Sequence, residues 1–200
     1  MNIDTIEELA KQEMADRQDQ QFREPGWILY HGKRTGKIAC HLAELTGCTA
    51  DRDILYVAGL FHDIGKGQQE HNQVGAEIAR ELLSDLVAED PLNEICQAIG
   101  NHNQRKKSPD FPETDLLIQD ADSIDHVGMI DVWMAFYWSG RRNETIHDQI
   151  TWCEGENYQD YLQYIRTHVN FAPSKKILEE RIQLAEGFFS DFQRIYFEGI

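Results

Sequence analysis

The chain has 200 residues, of which 41% are hydrophobic and 10% aromatic. This apolar content suffices for one substantial core, and composition does not change along the chain, so we predict a single domain over residues 1–200. Asp and Glu number 35 against 19 Lys and Arg, which gives a formal net charge of −16. That charge would repel a nucleic acid polymer and argues against such a partner, although a local cleft could still bind a small phosphorylated molecule.

The sequence contains no signal for export or membrane insertion. Residues 1–21 include no apolar run of signal-peptide length, and the most apolar stretch, residues 129–138, is far too short to span a bilayer. We therefore expect a soluble, cytoplasmic protein that does not bind membranes. Four cysteines without CxxC spacing are expected to be buried, reduced thiols in or beside helices, namely Cys40, Cys48, Cys96 and Cys153.

Apolar residues recur at three- and four-residue spacing along the whole chain, and the alternation typical of strands is almost absent. This periodicity predicts an all-α fold. We place helices at residues 4–20, 30–46, 51–63, 71–88, 92–102, 114–138, 142–167 and 174–197. Glycines and prolines mark the turns between them, at Pro25-Gly26, Gly47, Gly65, Gly67, Pro91, Ser108-Pro109, Pro112, Gly140 and Pro173.

The second predicted helix contains two histidines in different settings. His31 shares a helical face with Thr35, Ile38 and Leu42, so its side chain is expected to point into the core. His41 lies well round the helix from that face, and we expect it to be solvated.

The third predicted helix ends in a histidine and an aspartate. His62 continues the apolar face of this helix, and Asp63 follows it directly. Lys66 then stands between two glycines, where the helix stops and a cation is left near the carboxylate. A cation at this position is also favoured by the helix dipole alone.

Two more histidines lie at the ends of apolar stripes: His71 begins one and His102 ends another. A single inward histidine is more commonly a hydrogen-bonded core residue, but four of them together with carboxylates favour a metal site. Imidazole and carboxylate ligands suit a divalent ion such as Mn, Fe, Co, Ni, Zn or Mg. Facing helices of a bundle often supply such ligands.

Three segments of the chain resemble the HD-domain superfamily of metal-dependent phosphohydrolases. They are HGKRTGKIACHLAEL at residues 31–45, AGLFHDIGKG at residues 58–67 and IQDADSID at residues 118–125. The resemblance covers roughly residues 27–140. It implies an HD-domain helical bundle with extra N- and C-terminal helices, in which residues 141–200 form a helical extension. The implied metal ligands are His31, His62, Asp63 and Asp122.

The last ligand is not decided by spacing. Asp120 and Asp122 lie two residues apart, on nearly opposite helix faces, and their neighbours are apolar all round. The resemblance selects Asp122, because the family pattern of Ala-Asp, a polar residue, an aliphatic residue and Asp or His fits residues 121–125. Asp120 would then be a supporting or structural carboxylate.

Some members of the superfamily bind a second metal with two further histidines, and His71 and His102 resemble those positions. The resemblance thus implies one firmly held metal, a weaker second one and hydrolysis of a phosphate ester, either a monoester or a diester. The substrate would be a nucleotide or another small phosphorylated metabolite. Asp63 would bind metal and orient water, and Lys66 would neutralise phosphate charge. His71 or His102 would protonate the leaving oxygen where they hold no metal.

Two other functions remain open at this point. Some HD relatives use a di-iron pair to oxidise a carbon centre, and a non-catalytic nucleotide or metal sensor would keep the cleft without turnover. A basic run after His102 and one arginine near His31 are further candidates for phosphate contact, or simply solvated charges: Arg34, Arg105, Lys106 and Lys107. A homodimer is the symmetric assembly we expect, because it is the commonest one.

Overall fold

The structure is a computed structural model that describes residues 1–18, 23–108 and 110–200. Within these ranges the chain forms ten α-helices and no strand, which confirms the predicted all-α class. The helices are α1 (Ile3–Met14), α2 (Trp27–Thr46), α3 (Arg52–Phe61), α4 (His71–Leu83), α5 (Glu89–Asn101), α6 (Glu113–Asp125), α7 (Met129–Arg142), α8 (Ile146–Glu154), α9 (Glu156–His168) and α10 (Ala172–Glu198).

The described residues form two compact units, Met1–Asp122 and Ser123–Ile200. The first unit contains α1 to α5 and most of α6, and the second contains α7 to α10. One domain over residues 1–200, with a core at about 27–140 and an extension over 141–200, stays a prediction.

Helices α2 and α3 cross at backbone contact in the first unit. A Cβ atom added at Gly32 would lie 2.2 Å from the carbonyl oxygen of Leu60, and one added at Gly36 would lie 2.6 Å from that of Tyr56. Real Cβ atoms do not approach so closely, so both positions require glycine. This crossing brings the start of α2, and with it His31, beside the end of α3.

Helix α1 packs into the same unit. Its buried face consists of Ile6, Ala10 and Met14, all fully buried. On its outer side Glu7 accepts a hydrogen bond from Lys33 at 2.7 Å and another from the Tyr56 hydroxyl.

The second unit is held by aromatic packing and a few polar contacts. Tyr158 is 2% exposed and donates a hydrogen bond from its hydroxyl to Asp131 at 2.6 Å. The ring of Phe136 packs against a cluster of rings on α10, those of Phe188, Phe189 and Phe192.

The predicted helices over 114–138 and 142–167 are wrong as single helices, since each is broken at a glycine. Gly128 has φ +83°, which lies outside the helical region, and it separates α6 from α7. Gly155 is extended, with φ −70° and ψ 152°, and it separates α8 from α9. The glycines were visible in the sequence, but the apolar periodicity runs through both of them.

Two other predicted helices end early: the first stops at Met14 and the fourth at Leu83. Residues 19–20 of the predicted first helix and the Pro109 part of a predicted turn lie outside the described residues. Of the four cysteines, which are all free thiols, Cys48 is half-buried and the other three are buried. No helix in the described ranges has both the length and the apolar character that crossing a bilayer requires.

Candidate metal centre

Three buried side chains of the first unit converge on one point, and we call them the inner group: His31, His62 and Asp122. The Nε2 atom of His31 lies 3.1 Å from Oδ1 of Asp122 and 3.1 Å from Nε2 of His62. The Nε2 atom of His62 is 3.5 Å from the same aspartate oxygen. Each side chain comes from a different helix or its end, so the three meet only when α2, α3 and α6 are packed.

The histidines of the inner group are oriented by their neighbours. His62 caps the C-terminus of α3, and its Nδ1 atom donates to the Gly59 carbonyl oxygen at 2.7 Å. Because Nδ1 carries the proton, the Nε2 lone pair faces the cluster. A metal bound at Nε2 requires this tautomer. The ring of Trp27 stacks on the His31 ring with the centroids 5.7 Å apart.

Asp63 lies between the inner group and two further histidines. Its Oδ2 atom is 3.9 Å from the Nε2 atoms of both His31 and His62. Its Oδ1 atom is 3.6 Å from Nε2 of His71 and 3.5 Å from Nε2 of His102. One oxygen of this carboxylate therefore faces each side, the arrangement of a carboxylate shared between two ligand sets.

We call His71 and His102 the outer group. His102 is 2% exposed, caps α5, and donates from Nδ1 to the Ile99 carbonyl oxygen at 2.7 Å. The His71 side chain, at the start of α4, is 24% exposed. Its Nε2 atom is buried yet makes no hydrogen bond within the described ranges. A bound metal ion would give this nitrogen a partner.

A tight turn brings His71 of the outer group to Asp63. A Cβ atom added at Gly65 would lie 2.2 Å from the carbonyl oxygen of His71 and 2.6 Å from the amide nitrogen of Gly75. The turn after α3 therefore touches the first turn of α4, and a side chain at residue 65 would push the two apart.

The donor set fits a divalent metal. Within the first unit, three sets of side chains have ligand atoms that all lie within 4.8 Å of one another: His31, His62 and Asp63; His62, His102 and Asp122; and Asp63, His71 and His102. All six residues that the resemblance proposed as ligands thus come together, whereas Asp120 is buried and belongs to none of these sets in the described part of the chain. His41 is exposed, as expected, and lies 3.5 Å from Glu44.

The protonation states also suit metal binding. Burial lowers the pKa of His71 to about 4, helped by the positive charge of Lys66, and burial likewise lowers the pKa of His102. Burial acts to raise the pKa of Asp63, but His62, His102 and Lys66 outweigh it and hold that pKa well below the usual range. At neutral pH the outer group is therefore uncharged and Asp63 is ionised, the forms that bind metal.

Two cations contact the carboxylates. The Nζ atom of Lys66 lies 3.2 Å from both oxygens of Asp63. Arg105 donates a charged hydrogen bond from its guanidinium to Oδ2 of Asp122. Of the other basic residues considered from the sequence, Lys106 and Lys107 are exposed and the Arg34 guanidinium lies 5.3 Å from the Trp27 ring centroid.

Sequence reasoning missed one residue that supports the centre. Arg17 donates from Nη1 to the Ile64 carbonyl oxygen at 2.6 Å and from Nη2 to the Lys66 carbonyl oxygen at 3.1 Å. It therefore clamps the turn that carries Asp63. An isolated arginine 46 positions before Asp63 gives no signal of this contact in the sequence. The pairing of Arg105 with Asp122 was equally invisible in the sequence.

Solved structures similar to this chain share its fold. A predicted HD-superfamily hydrolase from an uncultured Thermotogales bacterium is 19% identical, with TM-score 0.66 over 97% of this chain and 92% of the other. An HD-superfamily hydrolase from Bacillus thuringiensis is 22% identical, with TM-score 0.68 over 97% of both chains. Bacillus subtilis YpgQ, solved in complex with ADP, is 15% identical, with TM-score 0.68 over 96% of this chain and 97% of the other.

No protein with a curated description is similar enough to this sequence to count as a match. The HD domain family model, in contrast, matches residues 28–126. That range includes both the inner and the outer group as well as Asp63, so the family match and the cluster of ligands coincide in the first unit. Residues 28–126 are an HD domain, which confirms the resemblance to the HD-domain superfamily.

Proposed function

We propose that this protein is a metal-dependent phosphohydrolase that cleaves a phosphate ester of a small nucleotide. The observation that carries the proposal is the placement of Asp63, with one oxygen facing the inner group and the other facing the outer group. Two divalent ions held on either side of one carboxylate are a recurring device of phosphate-cleaving enzymes. The solved HD-superfamily hydrolases of similar fold are consistent with a hydrolase.

The residues divide the work as follows in this proposal. Bound metal would lower the pKa of a water molecule and polarise a phosphoryl oxygen. His31, His62, Asp122 and Asp63 would hold the first ion, and Asp63 would share the second with the outer group. Lys66, whose ammonium group already lies against Asp63, would neutralise the negative charge of the substrate phosphate.

The outer group is better suited to binding metal than to donating protons. General acids work best with a pKa near the operating pH. The pKa of His71 is lowered to about 4 and that of His102 is also lowered, so both are unprotonated at neutral pH. We therefore assign His71 and His102 to the second metal, and the leaving oxygen would take its proton from solvent.

A small nucleotide is the substrate class we favour. The crystal structure of YpgQ, which shares this fold, contains ADP. A net charge of −16 disfavours binding of a polymeric nucleic acid. It does not prevent the basic side chains near the ligands from attracting a small anion. Location in the cytoplasm and a homodimeric assembly belong to the same proposal.

The test is phosphate release from a panel of nucleoside mono-, di- and triphosphates, cyclic nucleotides and phosphorylated sugars, with manganese, cobalt, nickel or magnesium added. We expect release from at least one nucleotide, with abolition by EDTA and recovery on adding metal back. Lys66→Met should lower turnover with little change in metal content. Metal bound stoichiometrically without any release would contradict the hydrolase and favour a sensor.

The second candidate is a di-iron oxygenase, because the outer group supplies the second ligand set that such an enzyme needs. It differs from the hydrolase in the metal it retains and in its co-substrate. Two tightly bound irons per chain, oxygen uptake with an organic substrate and no phosphate release would favour the oxygenase. The cations Lys66 and Arg105 beside the carboxylates favour the hydrolase, since they suit an anionic substrate.

A further inference from the structure

The two oxygens of Asp122 have different partners. Oδ1 lies 3.1 Å from Nε2 of His31 and 3.5 Å from Nε2 of His62, within the inner group. Oδ2 accepts the charged hydrogen bond from Arg105. Both side chains are largely buried, with 16% of Arg105 and 8% of Asp122 exposed, so solvent weakens this pair little. Oδ1 of this carboxylate is thus directed at the histidines of the inner group, and Oδ2 at Arg105.

The backbone around Arg105 holds the guanidinium in place. The segment follows His102 directly and closes in a turn, in which the Lys107 amide donates to the Gln104 carbonyl oxygen at 3.1 Å. Lys106 occupies the left-handed region with φ +57°, a conformation that is uncommon for a lysine and costs some backbone strain. The strained turn and the buried ion pair are independent signs that the position of Arg105 is fixed.

Asp63 offers the contrast. Its two oxygens face different histidines, and Lys66 contacts both of them equally at 3.2 Å, so neither oxygen is withdrawn from the ligand cluster. The contact of Arg105 with Asp122 is different, because Arg105 hydrogen-bonds Oδ2 while Oδ1 faces the histidines. Of the two carboxylates of the centre, Asp122 is the one with an oxygen held by an arginine in the described part of the chain.

We propose that Arg105 is a positioning residue that makes Asp122 a ligand through one oxygen alone. An aspartate without such a partner can bind a divalent ion through both oxygens, which fills one more position around the metal. With Oδ2 held by Arg105, that position stays open for water or a substrate oxygen. The inference rests on the proposed metal-dependent function and adds to it a determinant of how many positions around the metal remain free.

The same arrangement has a cost in metal affinity. A guanidinium next to the ligand repels the metal cation and draws electron density from the carboxylate. Its effect is opposite to that of a carboxylate that hydrogen-bonds a metal-bound histidine, which makes the histidine a stronger ligand. Removing Arg105 should therefore tighten metal binding while it closes the open position. A residue needed only for folding would have the opposite effect on affinity, because its loss would disorder the ligands.

The experiment is a Co²⁺ titration of the full chain followed by its visible absorption, in wild type, Arg105→Met, Arg105→Lys and the control Arg80→Met. Arg80 is an exposed arginine on α4, outside the ligand cluster. We expect Arg105→Met to bind Co²⁺ about tenfold more tightly than wild type. Inorganic phosphate should change the Co²⁺ spectrum of the wild type and of Arg80→Met, but not that of Arg105→Met.

Arg105→Lys keeps the positive charge but replaces the planar guanidinium with a single ammonium group. Its Co²⁺ affinity should therefore lie between those of the wild type and Arg105→Met, and part of the response to phosphate should return. Equal or weaker Co²⁺ binding by a folded Arg105→Met, or an unchanged phosphate response, would overturn the inference while the proposed function stands. If Arg105→Met does not fold, Arg105→Lys decides, and affinity no higher than wild type overturns the inference. A wild type that binds no Co²⁺ overturns both.

Discussion

The inner and outer groups of the metal centre are held in different ways. The inner group lies where α2 and α3 touch at glycines, and all three of its side chains are buried. In the outer group, on the other side of Asp63, His71 follows a turn and is 24% exposed, and its Nε2 atom lacks a hydrogen-bond partner in the described part of the chain. From this contrast we propose a tight first metal and a weaker second metal.

Loss of Asp63 should have the largest effect, because this residue serves both groups. Asp63→Asn keeps the size of the side chain but removes the charge that each ion would share. We expect phosphate release to fall by more than about 100-fold. Loss of a residue that only hydrogen-bonds a metal ligand costs up to about 100-fold, and Asp63 would bind the metal itself. The control Asp85→Asn changes an exposed aspartate beyond α4. Activity within a fewfold of wild type in Asp63→Asn would show that this carboxylate is not shared.

The next test separates the two groups by counting metal ions. His71→Gln should lower the content of Mn²⁺ from about two ions per chain to about one, since only the outer group is damaged. His62→Gln removes a ligand of the inner group and should weaken the first ion as well. Elemental analysis after equilibrium dialysis measures both. Equal losses in the two variants would erase the distinction between a tight and a weak metal.

A backbone substitution tests how the inner group is assembled. Gly32→Ala places a Cβ atom 2.2 Å from a backbone oxygen of α3, so the helices must separate. We expect the free energy of unfolding to drop by about 1–3 kcal/mol, with weaker binding of the first metal. The control Gly140→Ala has no atom within 4 Å of the new methyl group and should stabilise α7 by up to about 1 kcal/mol. Urea unfolding that ranks the two variants in the reverse order would contradict the close crossing.

The smallest effect concerns the link between the helix of His102 and the helix of Asp122. Asp115 on α6 accepts hydrogen bonds from Asn101 at 2.7 Å and Gln97 at 3.4 Å on α5, and burial raises the pKa of its carboxyl. The folded state therefore holds the carboxyl proton of Asp115 more tightly than the unfolded state does. The contribution of Asp115 to stability consequently falls as the pH rises above the ordinary pKa of an aspartate.

Asp115→Asn removes that titration and keeps an acceptor for the two amides. We expect a gain of less than about 1 kcal/mol in the free energy of unfolding at pH 7, and no gain near pH 4. Urea unfolding at the two pH values measures the difference. A variant less stable than wild type at pH 7 would mean that the ionised carboxylate strengthens the link between α5 and α6.

The sequence was sufficient to predict the helical class, and it singled out the inward-facing histidines, for physical reasons. Helical periodicity survives in one sequence because each buried face must be apolar, and a histidine on such a face stands out. His62 and Asp63 stand out in this way at the end of α3. Spacing could not choose between Asp120 and Asp122, and only the resemblance to HD proteins selected the residue that lies beside His31.

What the sequence did not reveal depends on contacts between distant segments. Arg17 and Arg105 look like ordinary surface charges until folding brings them to the turn after α3 and to Asp122. The breaks at Gly128 and Gly155 were hidden because apolar periodicity continues across them, and backbone conformation at a single glycine is not encoded in that pattern.

The most direct test of a centre shared by two groups is a crystal structure of the Mn²⁺-loaded protein with anomalous scattering recorded at the manganese edge. We predict two peaks, one on each side of Asp63, each within about 2.0–2.3 Å of one of its oxygens. The peak at the inner group should have the higher occupancy. One peak bound only by the inner group would reduce the centre to a single metal, and no peak within bonding distance of Asp63 would contradict the account.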